Sequence, residues 1–199
     1  MAETRIPTQK RSIEKRNKII EKGFELICEQ GYHNISTPDI AKAAEVSTGI
    51  IYQYFNDKKD IFIEGVKNYS RGIMYPMINL IDKNELSNMS VETVMNNFIN
   101  AFIQNHTISK KAHEELMAMT HLDEDVANIF KESEFELTSK IELALIENNI
   151  KLNNAREKIH LIIGIVENLC HEIVYHKHDE IDYGIMKKEV INIIKRILE

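Results

Sequence analysis

The sequence has little of what a secreted, membrane-spanning or disulfide-bonded protein needs. Cysteine occurs only at positions 28 and 170, without a CxxC pair, so the sequence offers neither a disulfide framework nor a zinc cluster, and we expect both thiols to be buried. The first twelve residues, MAETRIPTQKRS, carry charges where a signal peptide has its apolar run. No stretch approaches the ~20 uninterrupted apolar residues of a transmembrane helix. We therefore expect a folded cytoplasmic protein with no membrane partner.

Residues that break helices are also scarce. The 199 residues include seven glycines and three prolines, and strand-like alternation of apolar and polar residues is absent. Apolar residues instead recur at intervals of three and four, which predicts an all-α fold. The longer helices are predicted over residues 12–30, 58–82, 91–106, 109–119, 123–148, 154–177 and 184–198.

Two much shorter helices are predicted between the first two long ones. Thr37, which precedes Pro38, is predicted to be the N-cap of one short helix, and Ser47 the N-cap of another that ends near Tyr54. Asp57 and Ser90 are the predicted caps of the long helices that follow them. Because only AEVS separates the two short helices, the sequence predicts a helix-turn-helix.

The second short helix has two chemically different faces. Ile51 and Phe55 are spaced i and i+4, so we expect them to point into the core. The residues left on the open face suit a DNA groove, because hydroxyl and amide groups hydrogen-bond base edges or phosphates and glycine permits close backbone approach. Lys58, at the start of the next helix, is expected to bind phosphate together with the helix N-terminus.

Charge is distributed unevenly along the chain. The formal net charge is −6, yet residues 1–22 contain seven Lys or Arg and three Glu, a local charge of +4. A basic first segment on an acidic body is typical of a protein that turns one end towards phosphates, although a solvated helix face has the same composition.

The segment RNKIIEKGFELICEQGYHNISTPDIAKAAEVSTGIIYQYFNDKKDIF resembles the DNA-binding domain of the TetR family of bacterial transcriptional repressors. Matching features are the glycine that closes the first helix, the threonine before the second, and the Tyr, Phe and Lys spacing of IYQYFNDKKDIF. The resemblance is strong over residues 13–62. Ile50 departs from it, and either a base contact or simple packing remains open there. The resemblance implies that DNA contacts fall on Thr37, Thr48, Gly49, Tyr52, Gln53, Tyr54 and Lys58.

The same resemblance implies the organisation of the whole protein. Residues 1–58 would form the helix-turn-helix domain and residues 59–199 a helical domain for ligand binding and dimerisation. The protein would bind a palindromic double-stranded operator as a homodimer, most simply as a repressor, and a small apolar or amphipathic effector would release it. The apolar stripe of the last predicted helix independently favours a partner helix.

Methionine and phenylalanine side chains are the candidates for an effector cavity, because flexible thioethers adapt to irregular apolar shapes. Ordinary core packing explains the same residues. The predicted lining is Met74, Met77, Phe98, Phe102 and Met117.

Other functions have weaker support. No nucleophile elbow, phosphate loop or metal-ligand cluster marks an enzyme, so no catalytic residue and no cofactor are predicted. His171 and His176 lie five residues apart and do not share a helix face, so no metal site is predicted. A protein-interaction adaptor that keeps the fold without reading DNA remains an alternative, as does, less simply, an all-helical enzyme.

Overall fold

The computed structural model describes residues 7–81, 89–106 and 108–199, with the side chains of these residues except 73–81. Within these ranges all regular secondary structure is helical, which confirms the predicted all-α fold. A single 3-10 turn, Tyr32–Asn34, follows the first helix. The α-helices are α1 (Lys10–Gln30), α2 (Thr37–Ala43), α3 (Thr48–Tyr54), α4 (Lys58–Ile81), α5 (Val91–Asn105), α6 (Lys110–Leu122), α7 (Glu124–Glu147), α8 (Ala155–Tyr175) and α9 (Tyr183–Leu198).

Local capping chemistry sets several helix starts. The backbone N–H of Asp60 donates to Oδ1 of Asp57 at 3.0 Å, and that of Thr93 donates to Oγ of Ser90 at 3.1 Å, which confirms these two predicted caps. These hydrogen bonds provide acceptors for N–H groups of the first turn, which have no acceptor within the helix.

The predicted N-cap of α2 was wrong by one residue. Thr37 is the first helical residue, and Ser36 is the cap. The N–H of Asp39 donates to Oγ of Ser36 at 3.4 Å, while the N–H of Ser36 donates to Oδ2 of Asp39 at 2.9 Å. Ser36 is the cap because this reciprocal capping box provides acceptors for two backbone N–H groups, whereas Thr37 as the cap would provide an acceptor for one. Hydrogen bonds from Ser36 also lower the pKa of Asp39.

Packing divides the chain into two compact units. The first comprises Met1–Tyr69 and Ile108–Ile129, and the second comprises Ser70–Thr107 and Phe130–Glu199. The predicted domain boundary after residue 58 stays a prediction.

A close crossing of α1 and α4 organises the first unit. A methyl group added at Gly23 of α1 would lie 2.6 Å from Cγ2 of Ile61, and one added at Gly65 of α4 would lie 2.5 Å from Cβ of Phe24. These glycines therefore let the two helices approach closely. The buried apolar side chains of α1 to α4 in this unit are Ile19, Ile20, Phe24, Ile27, Cys28, Ile40, Ala41, Ile51, Ile61, Phe62 and Val66. Ile13, in the first turn of α1, is exposed because it lies nearly two turns before this core begins.

The second unit is built around α8, which is packed against α5 and α9. Helix α8 buries seven residues, among them Ile163, Val166 and Leu169. Cys170 is one of the seven, and burial raises the pKa of its thiol to about 12. Among the described residues, none of the helices is long and apolar enough to span a bilayer.

The close crossing of α1 and α4 predicts that replacing glycine by alanine has opposite effects on stability at Gly65 and at Gly72 of α4. Gly65→Ala should destabilise the protein by about 1–3 kcal/mol, because the methyl group overlaps Phe24. Gly72→Ala should instead stabilise it by up to about 1 kcal/mol, since open space surrounds Gly72 and alanine favours the helix. Chemical denaturation of both variants tests this, and a Gly65→Ala protein as stable as the wild type would contradict the close crossing.

Candidate nucleic-acid interface

Helices α2 and α3 form the predicted helix-turn-helix. The N–H of Val46 donates to the carbonyl of Ala41 at 2.9 Å, which folds the chain back after α2. Glu45 adopts a left-handed backbone conformation with φ of 58°, and its carboxylate pairs with the ammonium of Lys18 on α1. The turn is thereby tied to α1 as well as to its own backbone.

Packing decides which face of α3 meets solvent. Ile51 is 0 % exposed and Phe55 only 2 %, so this side of α3 belongs to the core of the first unit. On the other side Tyr52 is 54 % exposed, and Gly49 and Gln53 are also exposed. A methyl group at Gly49 would have no heavy atom closer than 4.0 Å. A ligand can therefore reach the backbone of α3 at Gly49 and the side chains of Tyr52 and Gln53.

The other predicted contact residues of this region are less open. Thr37, Thr48 and Tyr54 are half-buried, so only part of each side chain reaches solvent. The ring of Tyr54 packs edge-on against Phe55 with their centroids 6.5 Å apart. These contacts limit the directions in which the hydroxyl group of Tyr54 can point.

Lys58 makes structural contacts that its sequence position did not predict. Its Nζ donates to the carbonyl oxygens of Tyr32 at 2.6 Å and Ile35 at 2.8 Å, and it lies 4.4 Å from the centre of the Tyr32 ring. An ammonium group has three N–H donors, so one remains for a phosphate. Lys58 thus fixes the segment between α1 and α2 whether or not DNA is bound.

Two further contacts join this segment to α6 and join the start of α4 to the junction between α6 and α7. Oε1 of Glu115 accepts a hydrogen bond from the N–H of Tyr32 at 2.7 Å. Nζ of Lys59 lies 2.8 Å from a carboxylate oxygen of Asp123 and 2.7 Å from one of Asp125, and these hydrogen bonds raise the pKa of Lys59. The sequence carries no local signal for either contact, because Tyr32 and Glu115 are 83 positions apart.

Basic side chains at the start of α1 are exposed. Lys10, Arg11 and Lys15 form no ion pair with any residue that the structure describes. Arg16 differs, since its guanidinium lies 3.0 Å from Glu64 and 5.0 Å from the centre of the Phe55 ring. The first three side chains thus remain available for phosphate groups, while Arg16 stabilises the fold.

The predicted effector-cavity residues are not shown to come together. Phe98 lines an apolar cavity of about 340 Å³ in the second unit. Phe102 is buried instead against the ring of His106, with centroids 4.4 Å apart. Met117 is half-buried in the first unit. Met74 and Met77 lie outside the residues whose side chains are described.

The histidines do not assemble a metal site in the described part of the chain, where no three His, Cys, Asp or Glu side chains converge. His171 instead faces His106, with their Nε2 atoms 3.2 Å apart. His176 caps the end of α8.

Comparison with known proteins identifies the helix-turn-helix segment. Residues 19–64 match the family model of the bacterial regulatory proteins of the tetR family. This segment of the chain is therefore similar to the DNA-binding part of TetR-family regulators. This match contains α2, the turn and α3, together with most of α1 and the start of α4, which are the elements that position Gly49, Tyr52 and Gln53.

Two sequence relatives match short stretches of this chain, of 55 and 46 residues. It is 49 % identical over 55 residues to the HTH-type transcriptional regulator HbdR of Aromatoleum sp. (strain CIB), covering 28 % of this chain and 24 % of that protein. It is 48 % identical over 46 residues to the fatty acid metabolism regulator protein of Bacillus subtilis, covering 23 % of this chain and 24 % of the relative. The match thus spans about a quarter of each relative's length.

The fold similarity extends further than the sequence similarity. A crystal structure of a TetR-family protein from Mesorhizobium loti superimposes with a TM-score of 0.74, covering 96 % of this chain and 98 % of that one at 14 % identity. At that identity the comparison establishes a shared fold and nothing about ligands.

The contacts of Lys58 predict that its replacement destabilises the protein more than replacement of the neighbouring Lys59. Lys58→Met should destabilise the protein by about 1–3 kcal/mol, because it leaves two partly buried carbonyl groups without a charged donor. Lys59→Met should cost less, since solvent screens its ion pairs. Urea denaturation of both variants tests the difference. Equal losses would show that Lys58 does not hold the Tyr32–Ile35 segment.

Proposed function

We propose that this protein is a transcriptional regulator of the TetR family that binds a palindromic DNA operator as a homodimer. It acts in the cytoplasm, most simply as a repressor rather than an enzyme, and a small apolar or amphipathic effector releases it from DNA. The observation that carries the proposal is the outer face of α3, where Gly49, Tyr52 and Gln53 are exposed opposite the buried Ile51 and Phe55.

The chemistry of this face suits a major groove. Gln53 has the amide that pairs bidentately with adenine, and Tyr52 offers an aromatic ring for a thymine methyl group and a hydroxyl group for a phosphate. Gly49 lets the helix backbone approach the DNA closely, as no side chain stands in the way. The half-buried Thr37, Thr48 and Tyr54 lie beside this face and would bind phosphates rather than base edges.

Basic side chains would position α3 on the DNA through phosphate contacts, which do not depend on the base sequence. Lys58 keeps one N–H for a phosphate after its two carbonyl contacts, and it begins α4, whose N-terminus also attracts anions. Lys10, Arg11 and Lys15 add positive charge at the start of α1. A net charge of −6 therefore does not oppose DNA binding, because residues 1–22, which include the start of α1, carry a local charge of +4.

Gln53 provides the test of base reading. Gln53→Ala should weaken binding to the preferred duplex by about 1–3 kcal/mol and relax the preference at one base pair of each half-site. Fluorescence anisotropy with a set of single-base-pair variants measures both effects. Gln30→Ala removes an exposed glutamine of α1 outside this face and serves as the matched control, with no expected change.

If Gln53→Ala weakens all duplexes equally, Gln53 contacts only the DNA backbone. If binding shows neither a sequence preference nor a dependence on salt concentration, the protein is better described as an adaptor that retains the fold.

Dimerisation is proposed through α8 and α9. Leu161 on α8 is 55 % exposed and lines a groove together with Ile165 of α8 and Met186 of α9. Ile185, which precedes Met186 on α9, is 59 % exposed. A methyl group at Gly164, in the middle of α8, would meet open space. Since glycine costs about 0.5–1 kcal/mol in a helix interior, a close approach by a second α8 would explain its presence.

A charge in this groove should separate the subunits. Leu161→Glu should convert the dimer to a monomer, because the interface would bury an unpaired carboxylate. Leu122→Glu, at a 72 % exposed leucine of α6, is the matched control and should leave the assembly unchanged. Sedimentation velocity distinguishes the two, and a Leu161→Glu protein that remains dimeric would exclude this surface.

A further inference from the structure

The cavity lined by Phe98 has continuous apolar walls. Helix α5 contributes Met95 beside Phe98, the last turns of α7 contribute Leu145, and the first half of α8 contributes Ile159 and Ile162. Its volume of about 340 Å³ corresponds to on the order of ten heavy atoms, each taking roughly the 30 Å³ of a water molecule. The space therefore suits one short alkyl chain.

One cationic side chain belongs to the lining of this cavity. Lys151, in the connection between α7 and α8, is exposed and has no ion-pair partner in the described part of the chain. The nearby Arg156 is occupied, since its guanidinium binds Glu142 at 2.7 and 3.0 Å. The rim thus offers one available ammonium group next to an apolar interior.

We propose that this cavity binds a single-chain alkyl carboxylate, with the chain among the apolar side chains and the carboxylate at Lys151. Burial of the chain provides most of the affinity, in proportion to the apolar area removed from water. Lys151 provides the discrimination between head groups, because an ammonium group attracts an anion and repels a cation. The proposal extends the effector control described above to a specific site and ligand class.

Acidic groups near the rim limit the size of this discrimination. Glu199 follows the lining residue Leu198, and Glu147 ends α7. Lys195 does not add to the positive charge, because its Nζ binds Glu92 at 3.0 Å. The preference for a carboxylate therefore depends on Lys151, which makes that side chain the one to test.

A set of ligands with equal chains and different head groups provides the first experiment. Isothermal titration of the full chain with decanoate, decanol and decyltrimethylammonium should rank their affinities in that order. Equal affinities would mean that the cavity binds any apolar chain, which overturns the assignment of a carboxylate. Tighter binding of decyltrimethylammonium would show that the acidic groups near the rim, rather than Lys151, select the head group, which also overturns the assignment. If none of the three compounds binds, the cavity is not a site for an alkyl chain.

Charge reversal at the rim provides the second experiment. Lys151→Glu should weaken decanoate binding by roughly five-fold or more, as expected for loss of an exposed ion pair and its replacement by repulsion, and should leave decanol binding unchanged. Lys131→Glu, an exposed lysine of α7 outside the lining, is the matched control and should change neither. Lys151 is exposed, so its replacement should leave the fold intact, and an unchanged decanoate affinity would overturn the proposal.

A third measurement separates this inference from the proposed function. Operator affinity is measured with and without saturating decanoate. If decanoate binds through Lys151 but operator affinity is unchanged, the ligand class stands and effector control through this cavity fails. If specific operator binding is found but decanoate does not bind, the regulator stands and the cavity assignment is overturned.

Discussion

The close crossing of α1 and α4 is the constraint on which the DNA-binding part depends. Helices α2 and α3 have seven residues each, too few to be stable alone in water. They persist because Ile40, Ile51 and Phe55 are buried in the core that α1 and α4 form where Gly23 and Gly65 let them approach. The same burial turns Gly49, Tyr52 and Gln53 outward. The exposed face of α3 is therefore a consequence of the packing behind it.

The sequence predicted most helices to within about two residues, because periodicity, caps and glycines are local signals. The start of α2 is an exception, because the reciprocal hydrogen bonds of Ser36 and Asp39 place the cap one residue before the predicted Thr37. Local signals do not reveal contacts between residues that are far apart in the sequence. The contacts of Lys58 with the carbonyl groups of Tyr32 and Ile35, for example, arise only when α4 packs beside the end of α1. Lys58 consequently has a structural role as well as the proposed phosphate contact.

The predicted effector cavity could not be located from the sequence. Methionine and phenylalanine composition suggested a lining, yet Phe102 is packed against His106 while Phe98 lines a cavity with aliphatic residues of α7 and α8. Apolar side chains at helical spacing are identical in sequence whether they fill a core or border a space. Lys151 could not be selected beforehand either, because its significance depends on the apolar walls beside it and on the ion pairs that occupy Arg156 and Lys195.

The central claim is that two copies of α3 in a dimer read a symmetric DNA sequence. Selection of genomic fragments by the 199-residue chain tests this claim most directly. Two recognition helices related by a two-fold axis should lie about one helical turn of DNA apart, roughly 34–36 Å, and should enrich an inverted repeat with that half-site spacing. Enrichment of such a repeat is the predicted result. Recovery of asymmetric sites only, or of no common sequence at low and moderate salt, would contradict it.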